Sequence, residues 1–126
     1  MKTIKITTDD ILSVIDVDFN NYKEMQKAVG NGCDCVETVK TMKLYEFFGA
    51  EMLFFVDESG LLKCLPVNHV GCYFYGTWMY HCSPIVGDIV FGVPYYDQIK
   101  APDDIDKMKK KLLNAFPFLR EEVANE

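Results

Sequence analysis

From Lys2 to Thr7 the chain alternates polar and apolar residues, with Ile4 and Ile6 on one side and lysines beside them. A period of two predicts a strand with one face buried. Asp9 to Asp18 carries Ile11, Leu12, Val14, Ile15 and Val17, which fit a short helix capped by Asp9 or a buried strand; β-branching favours strand toward its end. Asn21 to Val29 has the helical signature. Asn21 is a capping residue, Glu24 stands three positions on, and Tyr22, Met25 and Val29 share a face ended by Gly30.

Further on, Cys33 to Thr41 predicts a strand, whereas Met42 to Gly49 has no decisive period. Glu51 to Val56 predicts a strand, Asp57-Glu58-Ser59-Gly60 a turn, and Leu61 to Leu65 the returning strand of a hairpin, stopped by Pro66. Ile85 to Val93 is a strand interrupted by Gly87-Asp88, and Pro94 to Ala101 a connector. Pro102 opens a final helix over 102–119. Asp103, Asp104 and Asp106 stand in its first turn, and Ile105, Met108, Leu112 and Phe116 form an apolar stripe. Residues 120–126 read as a frayed tail. The order lacks βαβ alternation, so the expected class is α+β: one domain over 1–126, a mainly antiparallel sheet with an early short helix and a C-terminal helix on one side.

Composition narrows the function. The 126 residues carry 13 basic and 19 acidic side chains, a net charge of −6. Only Arg120 is an arginine. That balance argues against a nucleic-acid polymer as partner, since a phosphate backbone needs a basic surface and bidentate recognition uses Arg. No signal peptide or membrane-length apolar run is visible, so five cysteines read as reduced thiols in a cytoplasm.

Candidate chemistry is thin. Cys33-Asp34-Cys35 could present two thiolates to one ion from a strand, yet no second pair completes a zinc set, and buried structural cysteines are the plainer account. His69 and His81 are the two histidines; Ser13, Ser59 and Ser83 lie in no nucleophile elbow. No phosphate-cradling glycine loop occurs. Asp57 and Glu58 are adjacent carboxylates that a solvated hairpin tip explains. No catalytic residue, metal site or cofactor is therefore assigned.

The distinctive feature is the aromatic stretch from Tyr73 to Tyr80. As extended chain it puts Tyr73 and Tyr75 on one face, Phe74 on the other, and Trp78 with Tyr80 on a shared face beyond Gly76. Such rings either cover the sheet or dock a ligand. Asn68, His69, Tyr73, Tyr75, Trp78 and Tyr80 are the candidate binding residues. So many aromatics, with an amphipathic terminal helix, also predict a homo-oligomer, most simply a dimer.

One pattern runs through the first three quarters of the chain: Gln26-x-x-Val29-Gly30, Glu37, Phe55-Val56-Asp57-Glu58-x-Gly60, Leu65-Pro66-x-Asn68, and Ile85-x-Gly87-Asp88-Ile89-Val90. In order and spacing it resembles the small family catalogued as domain of unknown function 3846, over about residues 2 to 93. The insertion at 44–50, the aromatic stretch and the terminal helix depart from that pattern. The resemblance implies a phage or mobile-element setting rather than a reaction. Small acidic proteins of such elements often block host defence, by binding a defence protein or sequestering its nucleotide signal. The expectation is a non-catalytic binding protein of that kind. The alternatives are a small cysteine- and histidine-centred enzyme or metal protein, or a structural accessory of phage replication.

Overall fold

The computed structural model describes residues 1–77 and 83–122. In chain order its elements are β1 (Lys2–Ile6), β2 (Ile11–Asp16), α1 (Tyr22–Val29), β3 (Val36–Val39), α2 (Met42–Phe48), β4 (Leu53–Asp57), α3 (His69–Tyr75), β5 (Ile89–Tyr95), β6 (Gln98–Lys100), α4 (Ile105–Ala115) and β7 (Arg120–Glu121). The strands form one sheet in the order β3-β4-β5-β1-β2-β7, with β6 on β5. Every pairing is antiparallel except β2 with β7. The class is α+β with a mostly antiparallel sheet and a C-terminal helix.

Alternation along the strands divides the core between the two faces of the sheet. Ile4 and Ile6 of β1, Phe54 and Val56 of β4, and Ile89 and Phe91 of β5 point one way. They meet Leu44 of α2, Val70, Cys72 and Phe74 of α3, Met108 and Leu112 of α4, and Phe116 at the C-cap of α4. Leu53, Phe55 and Val90 point the other way, toward Met25 and Val29 of α1 and toward Val17 and Cys33. The early helix therefore covers the face opposite the C-terminal helix, not the same one. The reason is that β4 and β5 are apolar on both faces, so one helical layer cannot cover them. All five residues of β4 are buried.

Several local expectations are met. Asn21 caps α1 through its side-chain oxygen, which accepts from the Glu24 amide at 3.2 Å. The Glu24 carboxylate bonds back to Asp18 N at 3.3 Å rather than to the cap itself. The α4 stripe packs inward, with Leu112 wholly buried. Asp104 caps this helix, so it begins two residues beyond Pro102's immediate neighbour. The ambiguous segment 9–18 is a strand, paired to β1 with Ile4 opposite Val14.

Five expectations fail. Leu61 to Leu65 is not a strand but a run of turns, with Lys63 N donating to Ser59 O and Leu65 N to Gly60 O. Asp57 causes this: its carboxylate accepts from Ser59 N at 2.9 Å and from Lys63 Nζ at 2.7 Å, folding the chain back. So Asp57 is buried and fully engaged, not a solvated tip. The 94–101 connector is the hairpin of β5 and β6. Part of the tail is ordered as β7, where Arg120 N donates to Asp10 O and Glu122 N to Leu12 O, both at 2.9 Å. Finally, 69–75 is a helix.

Candidate functional site

The helix α3 forms because both its ends are specified. Asn68 has extended backbone angles, and its Oδ1 accepts from Gly71 N at 2.9 Å, satisfying one of the open first-turn donors. Gly76 takes the left-handed conformation at φ 76°, where its N–H reaches Cys72 O and Tyr73 O. Between them Val70 and Phe74, four apart, face the core. Gly71 is required for a different reason: a Cβ there would lie 2.6 Å from Ile85 Cγ2. The helix therefore lies directly on the 85–87 segment.

Helical geometry rearranges the candidate residues. Tyr73 and Tyr75, expected on one strand face, are about 200° apart around a helix and point to different sides. His69 and Tyr73, four apart, share the outer side instead. Asn68 is wholly buried. Its Nδ2 donates to Ile6 O and Gly87 O, each at 3.0 Å, and its main-chain N to Ile85 O at 2.9 Å. With these bonds and the cap made, it ties α3 to β1 and to the 85–87 turn and offers nothing to a ligand. Trp78 and Tyr80 lie outside the described residues.

The outer side of α3 is one end of an aromatic surface. Tyr73 is 47% exposed, and its ring meets Phe116 edge-on at 5.3 Å and Phe74 at 5.4 Å. Phe118, also 47% exposed, meets Phe116 at 5.9 Å and the His69 ring at 6.1 Å. Lys43 of α2 places its Nζ 4.2 Å from the Tyr73 ring centroid, a cation–π contact. His69 Nδ1 is 3.2 Å from Asp10 Oδ1. Half-exposed rings backed by buried rings are stiff, and they keep an apolar face toward solvent. Lys43, Phe118 and Asp10 were not anticipated. They lie in three distant parts of the chain, and only the tertiary fold joins them.

Tyr75 sits on the other flank of α3. With Val39, Val56, Pro84 and Ile85 it lines a cleft of about 180 Å³ whose polar rim includes Glu37, Asp57 and Glu58. Asp57 is paired with Lys63, and the exposed carboxylates of Glu37 and Glu58 set a negative potential at the opening, which opposes a phosphate group.

The cysteines do not form a pincer. Cys33 is buried and directs its thiol to Cys35 O at 3.4 Å, while Cys35 is exposed. Burial, reinforced by the nearby Asp57 charge, pushes the Cys33 thiol above its ordinary pKa. That is the reverse of what a nucleophilic thiolate needs. Among the described residues no three His, Cys, Asp or Glu side chains are grouped to hold a metal ion. Among them, too, no helix is long and apolar enough to cross a membrane.

Comparison with known proteins returns no matching family model, no matching curated protein and no matching solved structure.

Proposed function

We propose that this chain is a non-catalytic binding protein and that its contact surface is the aromatic face formed by His69, Tyr73 and Phe118, with Lys43 at its edge. The observation that carries the reading is the pair of half-exposed rings, Tyr73 and Phe118, both resting on the buried ring of Phe116. Such rings give up little conformational entropy when a partner covers them, and aromatic anchors dominate protein interfaces. Within the setting that the family resemblance implies, the partner is a protein of a host defence system. The alternative target, a small nucleotide signal, would bring its phosphates near exposed carboxylates in the cleft beside Tyr75, those of Glu37 and Glu58. A protein partner meets no such repulsion on the Tyr73 side.

The test is phage plating on hosts carrying defined defence systems, with this protein supplied from a plasmid. Rescue of plating in at least one such host is expected. Tyr73→Ala and Phe118→Ala should abolish it while melting within a few degrees of wild type. No rescue in any host, or full rescue by both folded variants, would overturn the proposal.

A further inference from the structure

We propose that β3 is a docking edge for an extended segment of a partner protein, one that carries a lysine or arginine and seats that side chain in the cleft beside Tyr75. This interface is separate from the His69–Tyr73–Phe118 surface and does not rest on it.

The edge is open. β3 stands at the end of the sheet, and among the described residues its strand partner is β4 alone. Cys35 O accepts from Glu58 N at 2.9 Å, which sets the phase of the ladder. Cys35, Glu37 and Val39 turn their main-chain groups toward β4, and Val36 and Thr38 turn theirs outward. Val36 agrees with this phase, since its N–H donates outward to the Tyr22 hydroxyl at 3.0 Å. The N–H and C=O of Thr38 have no main-chain partner among the described residues, and Thr38 is exposed. An added strand bonds to unpaired edge groups of this kind.

Charge at the cleft selects the strand. Glu37 and Val39, two apart, share a face of β3, and both line the cleft with Val56, Ile85 and Tyr75. A strand laid along β3 sends every second side chain over that face. Glu58, two residues past Val56, is the diagonal neighbour of Glu37 across the β3–β4 pair. Both carboxylates are exposed, and neither has an ion-pair partner among the described residues. Nearby, Lys63 Nζ is already engaged by Asp57 at 2.7 Å and by Gly32 O at 2.6 Å. Among the described residues no lysine, arginine or histidine lines the cleft. Like charges side by side on a sheet repel, and a cation from outside relieves the repulsion. The cleft, about 180 Å³ over an apolar floor with a tyrosine beside it, suits the hydrocarbon stem of lysine or arginine, whose charged head then lies at the carboxylate rim. An acidic or purely apolar segment finds no such match.

The measurement is selection of binders to the full chain from a displayed library of random decapeptides, followed by fluorescence titration of the synthetic winners. Winners are expected to carry lysine or arginine, with β-branched residues at alternate positions around it. Glu37→Lys combined with Glu58→Lys, both at exposed positions, should weaken these peptides at least about tenfold, and replacing the peptide's basic residue by Glu should restore binding to that double variant. Thr38→Pro removes the outward donor without breaking a bond to β4, so the fold is kept, and it should weaken the same peptides roughly three- to tenfold. Amide hydrogen exchange at Thr38 of the wild-type chain should slow when peptide is bound, which reads the same bond with no substitution. An absence of winners, winners without lysine or arginine, binding indifferent to the folded charge variant, or Thr38 exchange unchanged by bound peptide would each overturn the proposal.

Discussion

Replacing Asn68 by Ala removes a wholly buried side chain that makes three hydrogen bonds: two from Nδ2, to Ile6 O and Gly87 O, and one into Oδ1 from Gly71 N. Loss of a helix cap costs about 1 kcal/mol. Each carbonyl left without its donor in a buried place adds about 1–2 kcal/mol, toward the lower end because a carbonyl has a second lone pair. The expected total is about 3–4 kcal/mol, a large part of the roughly 5–15 kcal/mol that holds a domain together. Urea unfolding followed by far-ultraviolet circular dichroism would read this as a lowered midpoint at unchanged slope. Asn68→Asp separates the two halves of the interaction. Aspartate caps a helix as well as asparagine does, but its second oxygen would face two carbonyls in a dry site. At neutral pH it should be at least as destabilising as Asn68→Ala. Its folded-state pKa must rise, since only the protonated acid can donate to a carbonyl. A raised folded pKa means that stability returns as pH falls through that value and is lost again as pH rises. A midpoint shift worth less than about 1 kcal/mol in Asn68→Ala, or no acid rescue of Asn68→Asp, would refute the assignment of this residue as a structural tie.

Leu112→Ala should cost about 2–5 kcal/mol, because the side chain is wholly buried between α4 and the sheet; an unchanged melting temperature would show that the α4 stripe does not carry the core. Gly71→Ala should destabilise by about 1–3 kcal/mol through the clash with Ile85 Cγ2, and Gly71→Ala combined with Ile85→Ala, which removes that atom, should cost less than the sum of the two single substitutions in the same urea assay. Under native conditions at mildly alkaline pH, Cys35 and Cys64, which are exposed, should be alkylated by iodoacetamide well before Cys33 and Cys72, which are buried; peptide mass mapping that finds Cys33 first would contradict its raised pKa.

The elements legible in the sequence are those whose signals are local. Ile4 and Ile6 with flanking lysines specify β1, Asn21 specifies where α1 begins, and the spacing of Ile105, Met108, Leu112 and Phe116 specifies α4. Tyr73 to Tyr75 is helical rather than extended, and a seven-residue helix offers too few positions to show a period of 3.6. Tyr73-Phe74-Tyr75 instead suggests a period of two. The correcting signal was present in Asn68 and Gly76, a helix cap and a helix stop at the right separation, with Val70 and Phe74 between them. Before the 61–65 segment the turn sequence is a true local signal, whereas the returning strand it suggests does not form. A hairpin return assumes a free strand edge on β4, and β3 and β5 already occupy both edges. Parallel pairing of β7 with β2 joins residues more than a hundred positions apart and leaves no local mark. The candidate site was legible as a segment but not as a surface. Nothing local ties Tyr73 to Lys43 or Phe118, or says that Tyr75 turns away.

The fixing of α3 bears on how the Tyr73 surface would respond to mutation. Its N-terminus is held by Asn68, and its C-terminus by Gly76 and by Thr41, whose hydroxyl donates to Phe74 O at 2.7 Å while also capping α2 through Leu44 N. Lys43, two residues beyond Thr41, lies over the Tyr73 ring, so the two short helices and the aromatic face they carry form one packed unit. A variant at Asn68 would then weaken partner binding only as far as it loosens α3, and loss of binding should track loss of stability across a series of substitutions there. A variant at Tyr73 removes an outward-facing ring while its neighbour Phe74 keeps the helix seated on Phe91 and Phe116. Binding should then fall with stability nearly unchanged. The two residues are five positions apart in sequence, yet a plot of binding against stability should place them on different lines. That separation distinguishes a side chain that meets the partner from one that holds the surface in place.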